Sequence, residues 1–319
     1  MPAQVTLSAT ILFRLHCLGC GLLILVASLH ISAEGSNAQI VSHASPIGEE
    51  QLVSIGDRRL FVRCQGSGSP LVILTHGLGG SSAEWSLVQS ELARDTTVCA
   101  YDRAGEGRSD PDPGAPQNAE DVSRDLDALL AAMGVDQPIV LSGFSFGGLL
   151  ARHYAVTRPR MVAALVLIDP TPPVWTAMNL SGASIEPRID ALLRYSGVHP
   201  HIAEAIDVLK ASEEVFARGA PPMRVSMLTS GVKSLNAGMA GDHRNQIATR
   251  LQNDQARELD ADHEIVAGCT HAMPVDCPEA VIDMLHDAVD DVREQGWHRD
   301  LSIRDATDSK PPRRKAMSR

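Results

Sequence analysis

The stretch VLSGFSFGGLL, Val140 to Leu150, decides how this chain is read. Ser145 stands between two phenylalanines, with Gly143 two residues before it and Gly147 two residues after. The apolar run PIVLSG ahead of it reads as a buried strand, and GGLLARHYAVTRP behind it reads as a helix stopped at Pro159. A sharp strand-to-helix turn forces its tip residue into strained backbone, and flanking glycines remove the Cβ atoms that would clash there. The serine oxygen is then held at a helix N-terminus, where unpaired N–H groups favour developing negative charge. The plainer reading of the same letters is a glycine-rich turn whose serine caps the helix. The surrounding chain has to separate the two.

Outward from Ser145, strands and helices alternate. RRLFVRCQG, PLVILTHG, TTVCAYDRAG and VAALVLIDP read as strands. SSAEWSLVQSELA has helical spacing, and AEDVSRDLDALLAAMG is an amphipathic helix ended by Gly134. Repeated strand–helix units predict an α/β fold with a mostly parallel sheet and helices on both faces. Ligands bind such sheets beyond the carboxyl ends of the strands. The loops HGLGG, DRAGEGRSD, GFSFGG and DPTPP are therefore expected on one side. From about 170 to 222 the alternation stops, with helical pieces such as IDALLRYSG, which predicts a small helical cap inserted into the domain. The sheet resumes with RVSMLT and HEIVAG, and PEAVIDMLHDAVDDVREQ is a last helix.

Composition narrows the function class. With 44% hydrophobic and 21% charged residues the chain is globular, and aromatics are so few that Leu, Val, Ile and Ala must fill the core. A net charge of −11 excludes the basic surface that a nucleic-acid partner requires. The lysine of a phosphate-binding loop is absent from the glycine-rich turns. Residues 1–33 carry Arg14, an apolar run from about Leu18 to Ile31 and then small residues, the layout of a signal peptide or an N-terminal anchor. Residues 34–47 read as a linker, 48–298 as the domain, and 299–319 as a disordered basic tail. The expected location is exported, periplasmic or secreted, with membrane association through the N-terminal segment as the alternative. Removing a signal would remove Cys17 and Cys20 and leave Cys64, Cys99, Cys269 and Cys277, an even set that permits two disulfides. Their spacing fits no zinc site.

HGLGG, YDRAGEGRSD, GFSFGG and GCTHAMPVDCPEAVIDML occur in the order found in α/β-hydrolase-fold enzymes, and the chain resembles that superfamily from roughly Leu60 to Leu285. The serine points to its serine-nucleophile, esterase-like branch and away from the aspartate-nucleophile epoxide hydrolases and haloalkane dehalogenases. The resemblance implies an eight-stranded sheet, no cofactor or metal, and a Ser–acid–His triad in that chain order. Ser145 is then the nucleophile and His271 the base. The acid is Asp169, at the end of LVLID, or Asp242, since the residues that follow RVSMLT hold no nearer carboxylate. The backbone N–H groups of Leu78 and Phe146 would form the oxyanion hole. His76 and Asp102 would be structural, while His153, on the helix after Ser145, and His263, opening a strand, read as packing or surface residues. Two pairings are expected: Cys64–Cys99, because the fold sets their strands side by side, and Cys269–Cys277, which bracket His271. The function implied is an exported hydrolase acting on a small-molecule carboxylic ester or related acyl bond through an acyl-enzyme. A ligand-binding or interaction protein without catalysis, on the same fold, is the alternative.

Overall fold

The computed structural model describes residues 50–111, 118–173, 214–215, 217–232 and 239–296, with side chains of the last segment from residue 248 onward. The expected signal or anchor, the linker, most of the cap and the basic tail lie outside the described residues.

Eight strands form one sheet in the order β1-β2-β4-β3-β5-β6-β7-β8. They are β1 (Glu50–Ser54), β2 (Arg59–Gln65), β3 (Val72–Thr75), β4 (Val98–Tyr101), β5 (Ile139–Phe144), β6 (Val162–Ile168), β7 (Arg224–Ser230) and β8 (Asp262–Val266). β2 pairs antiparallel with β1 and β4, and every pairing from β4 to β8 is parallel. Every residue of β3, β4, β5 and β6 is buried, which is why these strands read as continuous apolar runs. β1 is an edge strand whose residues alternate between exposed and half-buried. It carries no comparable apolar run, and the sequence pattern did not reveal it.

The helices are α1 (Ser86–Leu92), α2 (Ala119–Ala132), α3 (Phe146–Thr157), α4 (Met239–Glu258), α5 (Met273–Asp276) and α6 (Pro278–Glu294). Successive strand residues supply opposite faces of the sheet. Ile73, Leu141 and Leu165 pack with Leu126 and Leu129 of α2, Tyr154 of α3 and Ala256 of α4. Val72, Leu74, Val140 and Val166 pack with Val88 and Leu92 of α1 and Leu285 and Val289 of α6. The helix expected over SSAEWSLVQSELA begins with a separate 3-10 turn, Ser82–Trp85. α4 was not anticipated at all, because its sequence has too few apolar residues to show a helical stripe.

β3 lies between β4 and β5, so the chain leaves β3 toward one side and returns to build β5 on the other. The loops that leave β3 and β5 meet at this switch point, the position where sheets of this kind bind ligands. Among the described residues two disulfides are present. Cys64–Cys99 joins directly paired residues of β2 and β4, and Cys269–Cys277 closes a loop between β8 and α6. Among the described residues no helix is long and apolar enough to cross a membrane.

Candidate active site

Ser145 sits at the turn between β5 and α3 with φ 53° and ψ −120°, a left-handed conformation that side chains rarely adopt. Its neighbours hold it there. Ser145 N–H donates to the Ile168 carbonyl at 3.0 Å, and the Ser145 carbonyl accepts from Thr171 N–H at 2.8 Å. The flanking glycines are required for close approach. A Cβ on Gly143 would lie 2.3 Å from the Gly147 oxygen, and one on Gly147 would lie 2.4 Å from the His76 oxygen. Neither glycine has positive φ, so the strain is carried by Ser145 itself.

His271 lies in the loop between β8 and α5. Its Nε2 is 2.9 Å from Ser145 Oγ and its Nδ1 is 2.6 Å from Asp169 Oδ2. An ionised carboxylate only accepts, so Nδ1–H donates to Asp169 and Nε2 is left to accept from the serine hydroxyl. Phe144 packs on the imidazole with ring centroids 5.1 Å apart. The His271 side chain is 54% exposed, so a ligand can reach it, whereas Asp169 is buried.

Asp169 follows β6 with φ 39°, a conformation an aspartate tolerates better than most residues. Its N–H donates to the Leu228 carbonyl at 2.7 Å. The carboxylate also accepts from Ser230 Oγ at 2.7 Å, from Ser230 N–H at 3.2 Å and from Gln252 Nε2 at 3.4 Å. Gln252 donates to the Pro170 carbonyl at 2.7 Å as well, which ties α4 to the acid loop. Asp242, the other candidate acid, lies near the start of α4 with its side chain outside the described residues. Ser230 and Gln252 escaped sequence reasoning. The only available signal was positional: Ser230 ends the strand after which many α/β-hydrolases carry the acid, and it offers a hydroxyl to Asp169 from there.

The loop after β3 lies against Ser145. A Cβ on Gly77 would be 3.5 Å from the Ser145 Cβ. Among the described residues, the N–H groups of Leu78 and Phe146 donate to no acceptor. The N–H groups on either side of Leu78 are both held. Gly77 N–H donates to Glu84 Oε2 and Gly79 N–H to Glu106 Oε1, both at 3.0 Å. The buried Arg103 donates to Thr75 Oγ1 at 3.0 Å, to the His76 carbonyl at 2.6 Å and to the Gly77 carbonyl at 2.7 Å, and pairs with Glu106 at 2.7 Å. Arg103 N–H donates to His76 Nε2 at 3.2 Å, so the His76 proton is on Nδ1 and donates to the Gly77 carbonyl at 2.8 Å. Burial, with Arg103 nearby, holds His76 well below the usual imidazole range and therefore neutral. Burial pushes the Glu84 and Glu106 carboxyls up, against the pull of their backbone partners and Arg103.

Among the described residues, His153 and His263 are held by partners other than Ser145. His153 on α3 is buried between Ser123 at 2.9 Å and Glu214 at 2.7 Å. His263 on β8 contacts Thr229 Oγ1 at 2.8 Å. Asp102 accepts from Ser82 N–H at 2.6 Å and Arg108 N–H at 2.8 Å and holds its own loop. Among the described residues no group of three or more His, Cys, Asp or Glu is arranged to hold a metal ion.

Comparison with known proteins agrees with this architecture. RutD of Pseudomonas savastanoi pv. phaseolicola (strain 1448A / Race 6), named provisionally as a carbamate hydrolase, is 33% identical over 158 residues, 50% of this chain and 59% of that protein. Lipase LipV of Mycobacterium tuberculosis (strain ATCC 25618 / H37Rv) is 37% identical over 135 residues, 42% of this chain and 48% of that protein. The chain thus spans about half the length of the curated relatives it matches. A thermophilic esterase from Thermogutta terrifontis superposes with a TM-score of 0.53 at 18% identity, over 77% of this chain and 99% of that one, a likeness of fold. The family described as alpha/beta hydrolase fold matches residues 70–261. That span is more than half of the sequence, and the chain belongs to the alpha/beta hydrolase fold family.

Proposed function

We propose that this protein is an exported serine hydrolase that cleaves a small-molecule carboxylic ester or related acyl bond through an acyl-enzyme. The observation that carries the proposal is the continuous hydrogen-bonded chain from Ser145 through His271 to Asp169. A neutral serine is a weak nucleophile. His271 Nε2 takes its proton as Oγ attacks the carbonyl carbon, and Asp169 stabilises the imidazolium that forms. The carbonyl oxygen becomes an oxyanion beside the N–H groups of Leu78 and Phe146, which have no acceptor among the described residues. The imidazolium then protonates the leaving group as the tetrahedral intermediate collapses to the ester of Ser145. Water, deprotonated by His271, attacks that ester and releases the acid.

Names of relatives support the bond class. A carbamate hydrolase and a lipase both act at a carbonyl carbon bonded to a heteroatom leaving group. Export is supported by the two disulfides, which persist in an oxidising compartment.

The test is labelling with a fluorophosphonate, which phosphonylates an activated serine. The wild-type protein is expected to label and to hydrolyse p-nitrophenyl esters, with the preferred chain length read from a graded panel. Ser145→Ala is expected to do neither. An unlabelled, inactive wild-type protein would favour a binding protein on the same fold.

A further inference from the structure

The loop that carries Leu78 is held by a buried cation whose position sets the chemistry of a single peptide group. Carbonyl oxygen and amide hydrogen lie on opposite sides of a trans peptide. The carbonyl of Gly77 and the N–H of Leu78 belong to the same peptide. That carbonyl accepts from two donors, the Arg103 guanidinium at 2.7 Å and His76 Nδ1 at 2.8 Å. The Leu78 N–H on the far side has no acceptor among the described residues. The preceding peptide is arranged in parallel: the His76 carbonyl accepts from Arg103 at 2.6 Å and the Gly77 N–H donates to Glu84.

From this arrangement we infer that Arg103, seconded by His76, is a positioning residue for the oxyanion hole, acting through the Gly77–Leu78 peptide. The inference rests on the serine-hydrolase reading above. Two effects follow from one contact. Two donors on the Gly77 oxygen fix the peptide plane and with it the direction of the Leu78 N–H. A charged donor on a carbonyl also draws electron density from the amide nitrogen, which makes its hydrogen a stronger donor. Arg103 is 2% exposed, so water screens this pull little. Glu106 pairs with Arg103 at 2.7 Å and keeps the cation in place. Arg103 touches no substrate atom in this scheme. It is sensed only when negative charge develops on the carbonyl oxygen of the acyl group.

A sulfur-for-oxygen substitution separates this role from a merely structural one. A thionoester carries C=S, a poor hydrogen-bond acceptor, in place of C=O, so an oxyanion hole helps it little. The measured quantity is the ratio of kcat/KM for a p-nitrophenyl ester to that for its thionoester. In Arg103→Met, kcat for the oxygen ester is expected to fall about tenfold or more, a fraction of what losing a whole donor costs, with KM little changed. The thionoester should lose much less, so the ratio drops several-fold, and Arg103→Lys should recover part of it. Equal loss on both substrates would overturn the inference, since it would mean general damage. Should Arg103→Met fail to fold, Glu106→Gln decides. It keeps an oxygen acceptor for Gly79 N–H while removing the anion that holds Arg103, so the guanidinium is released and the ratio should fall; an unchanged or higher ratio rejects the inference. Ser145→Ala is the control for the underlying reading. If it still turns over the oxygen ester, the serine mechanism itself fails. If it is inactive while the Arg103 and Glu106 variants leave the ratio alone, only the role of Arg103 fails.

Discussion

Asp169 illustrates how much of the site depends on single atoms. Its carboxylate takes His271 on one oxygen and Ser230 on both, with Gln252 behind. Asp169→Asn would present an amide to His271 Nδ1 and favour the wrong tautomer, so kcat should fall about 10⁴-fold, as in other triads. Asp242→Asn should leave turnover near wild type, and steady-state kinetics of the two variants compare the candidates directly. Ser230→Ala removes one hydroxyl donor to a charged group, worth about 1.5–3 kcal/mol in general, and should lower both kcat and stability while labelling at Ser145 persists. At this scale Ser145, Asp169 and His271 were legible because each follows a strand in a recognisable motif. Arg103, Ser230 and Gln252 were not. Ser230 and Gln252 are 61 and 83 residues from Asp169, and a lone polar residue at such a distance leaves no periodic trace.

Among elements, the turn between β5 and α3 tolerates the least change. Gly143→Ala would set a Cβ 2.3 Å from the backbone oxygen of Gly147, which cannot yield as a flexible side chain would. Overpacking of this kind costs about 1–3 kcal/mol, and the displaced turn would also move Ser145. The variant should denature at lower urea concentration and lose fluorophosphonate labelling. The contact of α3 with α2 and the segment at Glu214 adds a pH dependence. Burial holds His153 below its usual range, and Arg158 adds to this, against the opposing pull of Glu214 and Glu120. The depressed folded pKa means that the unfolded chain takes up the proton first. Stability is therefore full above about pH 6.5, the unfolded value, and is lost as the pH falls below it. His76 acts in the same direction. Urea midpoints should fall between pH 7.5 and 5.5, and less steeply in His153→Gln. The strands β3 to β6 were legible because burial on both faces makes them continuously apolar. β1 and α4 were hidden by the opposite cause: a surface strand and a polar helix owe their conformation to neighbours.

Over the whole molecule, the two disulfides of the described residues are ones the even cysteine count permitted. They close chain separations of 35 and 8 residues. Loop-closure entropy assigns them about 4 and about 2.5 kcal/mol. Replacing Cys64 and Cys99 together by alanine should cost more stability than replacing Cys269 and Cys277. The second pair should instead raise the mobility of His271 and lower kcat, which calorimetry and kinetics separate. The proposed triad draws Ser145 from the middle of the sheet and His271 from beyond β8, an edge strand. Edges open locally at lower free energy than cores. Catalysis should therefore be a more sensitive gauge of integrity than bulk structure. In mild urea, ester turnover should disappear while far-UV circular dichroism remains native, and it should return on dilution. On the proposed reading, an enzyme whose base hangs from a sheet edge can be silenced reversibly without being unfolded.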